Sequence, residues 1–238
     1  MSTFRQKGFS IVELSVAIVV IALITAGVVS GKLLIRQSQL KAILSQVDGI
    51  RAASNSFQLQ YDALPGDIPS AYTYWGSACD ATPANCNGNG NGSVENGSGS
   101  DAEMYRFWQH LNFAQMYPGN YSGSATSLNC TLNINTPTGP LPLSGYWISP
   151  IMPSSSWVTG YSVSVGKCVG TTVANTALLS PPDAYILDVK LDDGMPHTGM
   201  VMSNAGISAS GTCAGAAING TYTLSNTGIA CYTFFRIK

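Results

Sequence analysis

Hydrophobic and polar positions change their spacing along the chain, and each change predicts a different element. From Phe9 to Gly31 nearly every position is apolar or small, with a single charge, Glu13. Between Glu13 and Lys32 no residue is ionisable, a span of 18, close to the roughly 17 to 20 residues that cross a bilayer as a helix. Beyond Lys32, Leu33, Leu40, Ile43, Leu44, Val47, Ile50, Phe57 and Tyr61 recur at three and four, with Arg36, Gln39, Gln46 and Asp48 between them. That is the stripe of an amphipathic helix. One helix from Phe9 to about Tyr61 would be roughly 80 Å long at 1.5 Å per residue. Gly27 and the Ser30-Gly31 pair predict a kink or local melting, each glycine costing about 1 kcal/mol relative to alanine. Pro65, Gly66 and Pro69 must end the helix.

The next periodic stretch, Ala102 to Tyr117, predicts a short amphipathic helix capped by Asp101, with Tyr105, Trp108, Leu111 and Phe113 on its core side. Past Pro118 the pattern shifts to short β-type runs between Gly, Pro, Ser and Asn: 128–134, 145–148, 161–165, 184–191, 199–202 and 232–237. Alternation is clearest in Tyr185-Ile-Leu-Asp-Val-Lys-Leu191. It leads into Asp192-Asp193-Gly194, which predicts a hairpin turn between two strands. The class expected is α+β: a long N-terminal helix on an antiparallel sheet within a loop-rich head.

Composition narrows the compartment. Charged residues make up 10% of the 238, against about 25% in an average soluble protein. With Gly, Ser, Thr and Asn throughout, this points to an exported, loop-rich surface. The net charge is −1, so no broad basic face is available for a nucleic-acid backbone. All six cysteines, Cys79, Cys86, Cys130, Cys168, Cys213 and Cys231, follow the long helix. An even number on the exported side favours disulfides. Local spacing suggests Cys79–Cys86, Cys130–Cys168 and Cys213–Cys231. A zinc site lacks a Cys-x-x-Cys, and His110 and His197 sit near no cysteine in sequence.

The leader Met1 to Gly8 carries Arg5 and Lys7 and no acid, and the apolar run starts after it, at Phe9. A secretory signal would instead place its cleavage site behind the apolar core. Lys7-Gly8, followed by Phe9-Ser-Ile-Val-Glu13-Leu14, resembles the prepilin cleavage and methylation motif of type IV pilins and type II secretion pseudopilins. The resemblance covers about the first 60 residues. Tyr61-Asp-Ala-Leu-Pro-Gly-Asp67 and Lys190-Leu-Asp-Asp-Gly194 are weaker echoes of turns in the heads of that family. Many members carry a proline where this sequence has Ser30, which leaves the position of any bend open.

The resemblance implies removal of residues 1–8 by a prepilin peptidase and methyltransferase, with cleavage between Gly8 and Phe9 and N-methylation of Phe9. It implies residence in the bacterial inner membrane and then polymerisation with other pilin-like subunits into a periplasmic or surface filament. Residues 9–61 would be the assembly helix and residues 62–238 the head. Loss of Arg5 and Lys7 would leave 9 basic against 12 acidic residues, a net charge of −3. Glu13 would serve assembly: a carboxylate at membrane depth costs on the order of 2.5 to 3.5 kcal/mol, offset by the new α-amino group of Phe9 on a neighbouring subunit. The alternative is a membrane-anchored binding or adhesion module that uses the helix only as a tether.

Two further patterns bear on chemistry. Asn87, Asn89 and Asn91, then Gly92, Val94 and Glu95, follow the alternate-oxygen spacing of a calcium loop, with Asp80, Asp101 and Glu103 the other anionic candidates. The expected aspartates are neutral asparagines, so calcium is the one cofactor to consider, and a degenerate loop without an ion is the other reading. No Gly-x-Ser-x-Gly elbow or His-Glu-x-x-His is present. Ser164-x-x-Lys167 lacks its companion motifs, so an enzyme is not expected.

Overall fold

The computed structural model describes residues 10–95, 103–124, 129–149, 161–169, 176–215 and 219–237. Its elements are α1 (Ile11–Tyr61), α2 (Ala71–Trp75), α3 (Pro83–Cys86), α4 (Glu103–Phe113), β1 (Ser144–Ser149), β2 (Ser162–Lys167), α5 (Pro181–Leu191), β3 (Val201–Ala205) and β4 (Cys231–Arg236). Two compact units divide the chain inside α1, Met1–Lys41 and Ala42–Lys238.

In the first unit every large apolar side chain from Ile11 to Ile35 is exposed. The helix stays α-helical through Gly27, Ser30 and Gly31, so the expected local melting is not found. An all-apolar surface on a helix with no protein against it is what a bilayer or neighbouring helices would cover.

The second unit is built on one four-stranded antiparallel sheet of order β1-β2-β4-β3. Ile148, Val163, Phe235 and Val201 lie opposite one another across it and are all buried. From α1, Ile43, Val47, Ile50 and Phe57 are buried at helical spacing, while Leu33, expected in the same stripe, is exposed. Polar contacts fix this half of α1 to the sheet. The Tyr146 hydroxyl donates to Gln46 Oε1, Ser54 shares a hydrogen bond with the Tyr161 hydroxyl, and Arg51 donates to the Arg236 carbonyl at 3.0 Å.

Three sequence expectations fail here. The run 184–191 is a helix, not a strand. Ser180 accepts from the Asp183 amide, and Pro181 and Pro182 occupy the first turn, which together start a helix. Its buried residues Ala184, Leu187 and Asp188 fall at i, i+3 and i+4, leaving Tyr185, Ile186 and Val189 outside. Asp192-Asp193-Gly194 is therefore the exit of a helix and not the tip of a hairpin. Within 128–134, the described part forms a turn in which Asn135 accepts from the Thr131 amide and donates to the Asn129 carbonyl. That turn covers the β1 edge of the sheet through the Thr138–Gly145 bridge, a protection that exposed edges need. Helix α4 is amphipathic as expected, but its polar face, Glu103, Arg106, Gln109 and His110, is buried against the loops rather than exposed, so 103–111 is buried throughout. Trp147 of β1 meets Tyr105 edge-on at 5.3 Å, and Trp108 on the other side meets Tyr117 at 5.6 Å.

Candidate functional site

Ser10 and Glu13 open α1 as a pair. The Ser10 hydroxyl accepts from the Val12 amide at 3.3 Å, and the Glu13 carboxylate reaches back to the Ser10 amide at 2.9 Å. Ser10-Ile-Val-Glu13 is thus a capping box, a signal legible in the sequence and absent from the reading above. Glu13 already satisfies one orphan amide of its own helix, and its position in the first turn favours a negative charge. Gly8 and Phe9 lie outside the described residues.

The loop 87–95 is organised by two buried acids, Glu103, one of the anionic candidates, and Asp67, which the spacing did not point to. Asp67 Oδ1 accepts from the Gly90 and Asn91 amides at 2.7 and 3.1 Å, and Oδ2 from the Gly92 amide at 2.8 Å. Glu103 accepts from the Asn89 and Glu95 amides at 2.8 and 3.0 Å. Glu95 accepts from the side-chain amides of Asn89 and Asn91, both at 2.7 Å. The Asn87, Asn89 and Asn91 oxygens accept from the Tyr72, Asn91 and Ser93 amides. The loop therefore turns amide hydrogens toward Asp67 and Glu103, and spends two of its asparagine oxygens on its own backbone and the third, on Asn87, on the Tyr72 amide. Burial raises both carboxyls, against the lowering effect of those amides. Asp101, another calcium candidate, lies outside the described residues.

Cystines join Cys79 to Cys86, Cys130 to Cys168 and Cys213 to Cys231. Distant from every cysteine in sequence, His110 is nonetheless brought to one by the fold. His110, fully buried, sits beside the first cystine. Its Nδ1 accepts from the Gly66 amide at 3.0 Å, so Nε2 carries the proton and donates to the Cys86 carbonyl at 3.0 Å. Burial lowers its pKa to about 3, and both sulfurs are committed to the cystine, so the cluster is a structural clamp. Arg106 adds to it, donating to the Asn85 and Asn87 carbonyls at 2.7 and 2.8 Å.

Asp188, Asp192 and Asp193 gather their carboxylates at the C-terminal end of α5. An aspartate pair in a turn can hold a cation or cap backbone amides, and here both side chains accept from amides. Asp192 accepts from the Met200 and Val201 amides, and Asp193 from the Met195 amide and the Thr198 hydroxyl. Asp188 is fully buried and accepts from the Tyr222 hydroxyl at 2.7 Å and the Gly194 amide at 2.9 Å. Burial lifts its carboxyl to about 7, against the pull of those two donors, with Asp193 and Asp192 adding repulsion. Because the folded pKa lies above the unfolded one, Asp188 contributes most below the ordinary carboxylate range. That contribution is lost as pH rises through about 7. Urea unfolding is expected to show stability falling across this window, and Asp188→Asn to flatten the fall. An unchanged profile in the variant would assign the dependence to other groups.

Comparison with known proteins returns one family. Residues 3–29 match the model described as the prokaryotic N-terminal methylation motif. No curated protein and no solved structure matches the chain.

Proposed function

We propose that this chain, type IV pilin-like by its N-terminal motif and long apolar helix, is a filament subunit: cut between Gly8 and Phe9, methylated on the new Phe9 amine and assembled through α1. One observation carries the reading. A single acid, Glu13, stands one turn into a helix whose apolar side chains are exposed all the way to Ile35, inside the segment that matches the methylation motif. The 18-residue window of highest hydropathy contains no buried residue and spans about 27 Å at 1.5 Å per residue, comparable to the hydrocarbon core of a bilayer. Such a helix is held by lipid before assembly and by other copies afterwards. The peptidase does the covalent chemistry, and the chain supplies the substrate and the rod.

The mass of the mature N-terminus tests this directly. Loss of residues 1–8 and a methyl group on Phe9 are the expected result, and a chain that still begins at Met1 overturns it. Gly8→Val is expected to leave the leader in place, because a side chain would intrude where the motif has none. Protein found only in membranes, and never in sheared filaments, would favour the tether reading.

A further inference from the structure

The loop Asn87-Gly88-Asn89-Gly90-Asn91-Gly92 repeats a dipeptide prone to attack itself. With no side chain on the glycine, its backbone nitrogen can close on the carboxamide carbon of the preceding asparagine, one origin of asparagine's thermal lability. In this fold the attacking nitrogens are all engaged. Gly88 donates to the Ile68 carbonyl at 2.9 Å. Gly90 donates to both the carbonyl and Oδ1 of Asp67, and Gly92 to Asp67 Oδ2. The targets are engaged as well, since the Asn89 and Asn91 carboxamides bridge backbone amides to Glu95.

We propose that Asn89 and Asn91 are latent self-modification sites, and that the buried Asp67 carboxylate guards them by holding the nitrogens of Gly90 and Gly92. When that contact opens, the glycine nitrogen bonds to the asparagine Cγ and its proton passes to solvent base. The bond from Cγ to Nδ2 breaks and ammonia leaves with a proton from water. Water then opens the cyclic imide to aspartate or its β-linked isomer, so each site exchanges an amide for a carboxylate. The change runs one way. The released ammonia is lost to solvent, so the asparagine does not re-form. Each new carboxylate also arrives beside Asp67, Glu95 and Glu103. A chain that has opened this loop for long enough therefore carries a permanent record of it.

The test is peptide mapping by mass spectrometry of the full chain in detergent, held at mildly alkaline pH. Asn219-Gly220, on a different loop, serves as the internal standard. Native protein is expected to convert at Asn89 and Asn91 about tenfold or more slowly than the urea-unfolded, reduced chain, the factor for breaking one charge-assisted hydrogen bond before attack. Asp67→Ala is expected to bring Asn91 near the unfolded rate while Asn219 stays at its native rate, with Asn89 accelerated less because Gly90 still donates to the residue 67 carbonyl, and Asp67→Asn, which keeps one acceptor oxygen, to fall between. Equal rates in native and unfolded wild type overturn the proposal, as does slow conversion at Asn91 in a folded Asp67→Ala. If Asp67→Ala accelerates Asn219 as well, the variant has unfolded and Asp67→Asn decides: conversion at 89 and 91 no faster than wild type overturns the proposal.

Discussion

Glu13→Gln is expected to leave cleavage at Gly8 intact and to remove the chain from filaments. The substitution separates two roles that alanine would confuse. Glu13 closes a capping box on the Ser10 amide, and glutamine can do the same through its side-chain oxygen. Alanine would lose that bond, and caps of this kind are worth about 0.5–2 kcal/mol. What glutamine removes is the charge. On the proposed assembly, that charge meets the Phe9 amine of the next copy in apolar surroundings, where two charges 4 Å apart attract by about 4 kcal/mol at an effective dielectric constant of 20, against about 1 in water. Losing several kcal/mol at every subunit contact is enough to exclude the variant from a polymer. Leader removal, which acts on residues before the helix, has no such dependence. The mature N-terminal mass from membranes and the amount of protein in sheared filaments give the two readouts. Filaments containing Glu13→Gln at wild-type levels would show that the acid serves only its own helix.

The N-terminal helix was legible because one physical demand dominates it. An uninterrupted apolar run with one acid admits few structures in any solvent, and continuous helix from Ile11 to Tyr61 is the outcome. The buried stripe from Ile43 to Phe57 was equally plain, since only residues facing the sheet had to be apolar. In the head, local signals compete. Tyr185 to Leu191 alternates like a strand, yet Ser180, Pro181 and Pro182 just before it set a helix start, and capping chemistry outweighed period. Around 87–95 the spacing of oxygen-bearing residues suggested a cation. The charges that organise the loop come from Asp67 and Glu103, 20 residues before Asn87 and 8 after Glu95; Glu103 was among the anionic candidates, and only the fold brings in Asp67. The neighbour of the Cys79–Cys86 cystine, His110, was hidden for the same reason, because it arrives on α4.

Removing the Cys130–Cys168 bridge by alanine at both positions is expected to cost more stability than removing either of the others. Loop-closure entropy scales with the logarithm of the residues enclosed. The separations are 38 for Cys130–Cys168, 18 for Cys213–Cys231 and 7 for Cys79–Cys86, so the losses should run about 4, 3 and 2 kcal/mol. Against a total of roughly 5–15 kcal/mol for a domain, the first approaches the limit of folding. Its position adds to the effect. Cys130 sits directly before the turn that shields the β1 edge, and Cys168 directly after β2, which pairs with β1. The bridge thus keeps the turn over an edge that would otherwise offer its amides and carbonyls to a second chain. Urea unfolding of the full chain in detergent, followed by tryptophan fluorescence, gives the three losses. Aggregation during refolding is expected chiefly in the Cys130→Ala/Cys168→Ala chain. If the order reverses, with the short Cys79–Cys86 loop costing most, contacts made by that cystine beside His110 outweigh chain entropy, and the clamp on α4 is what holds the head together.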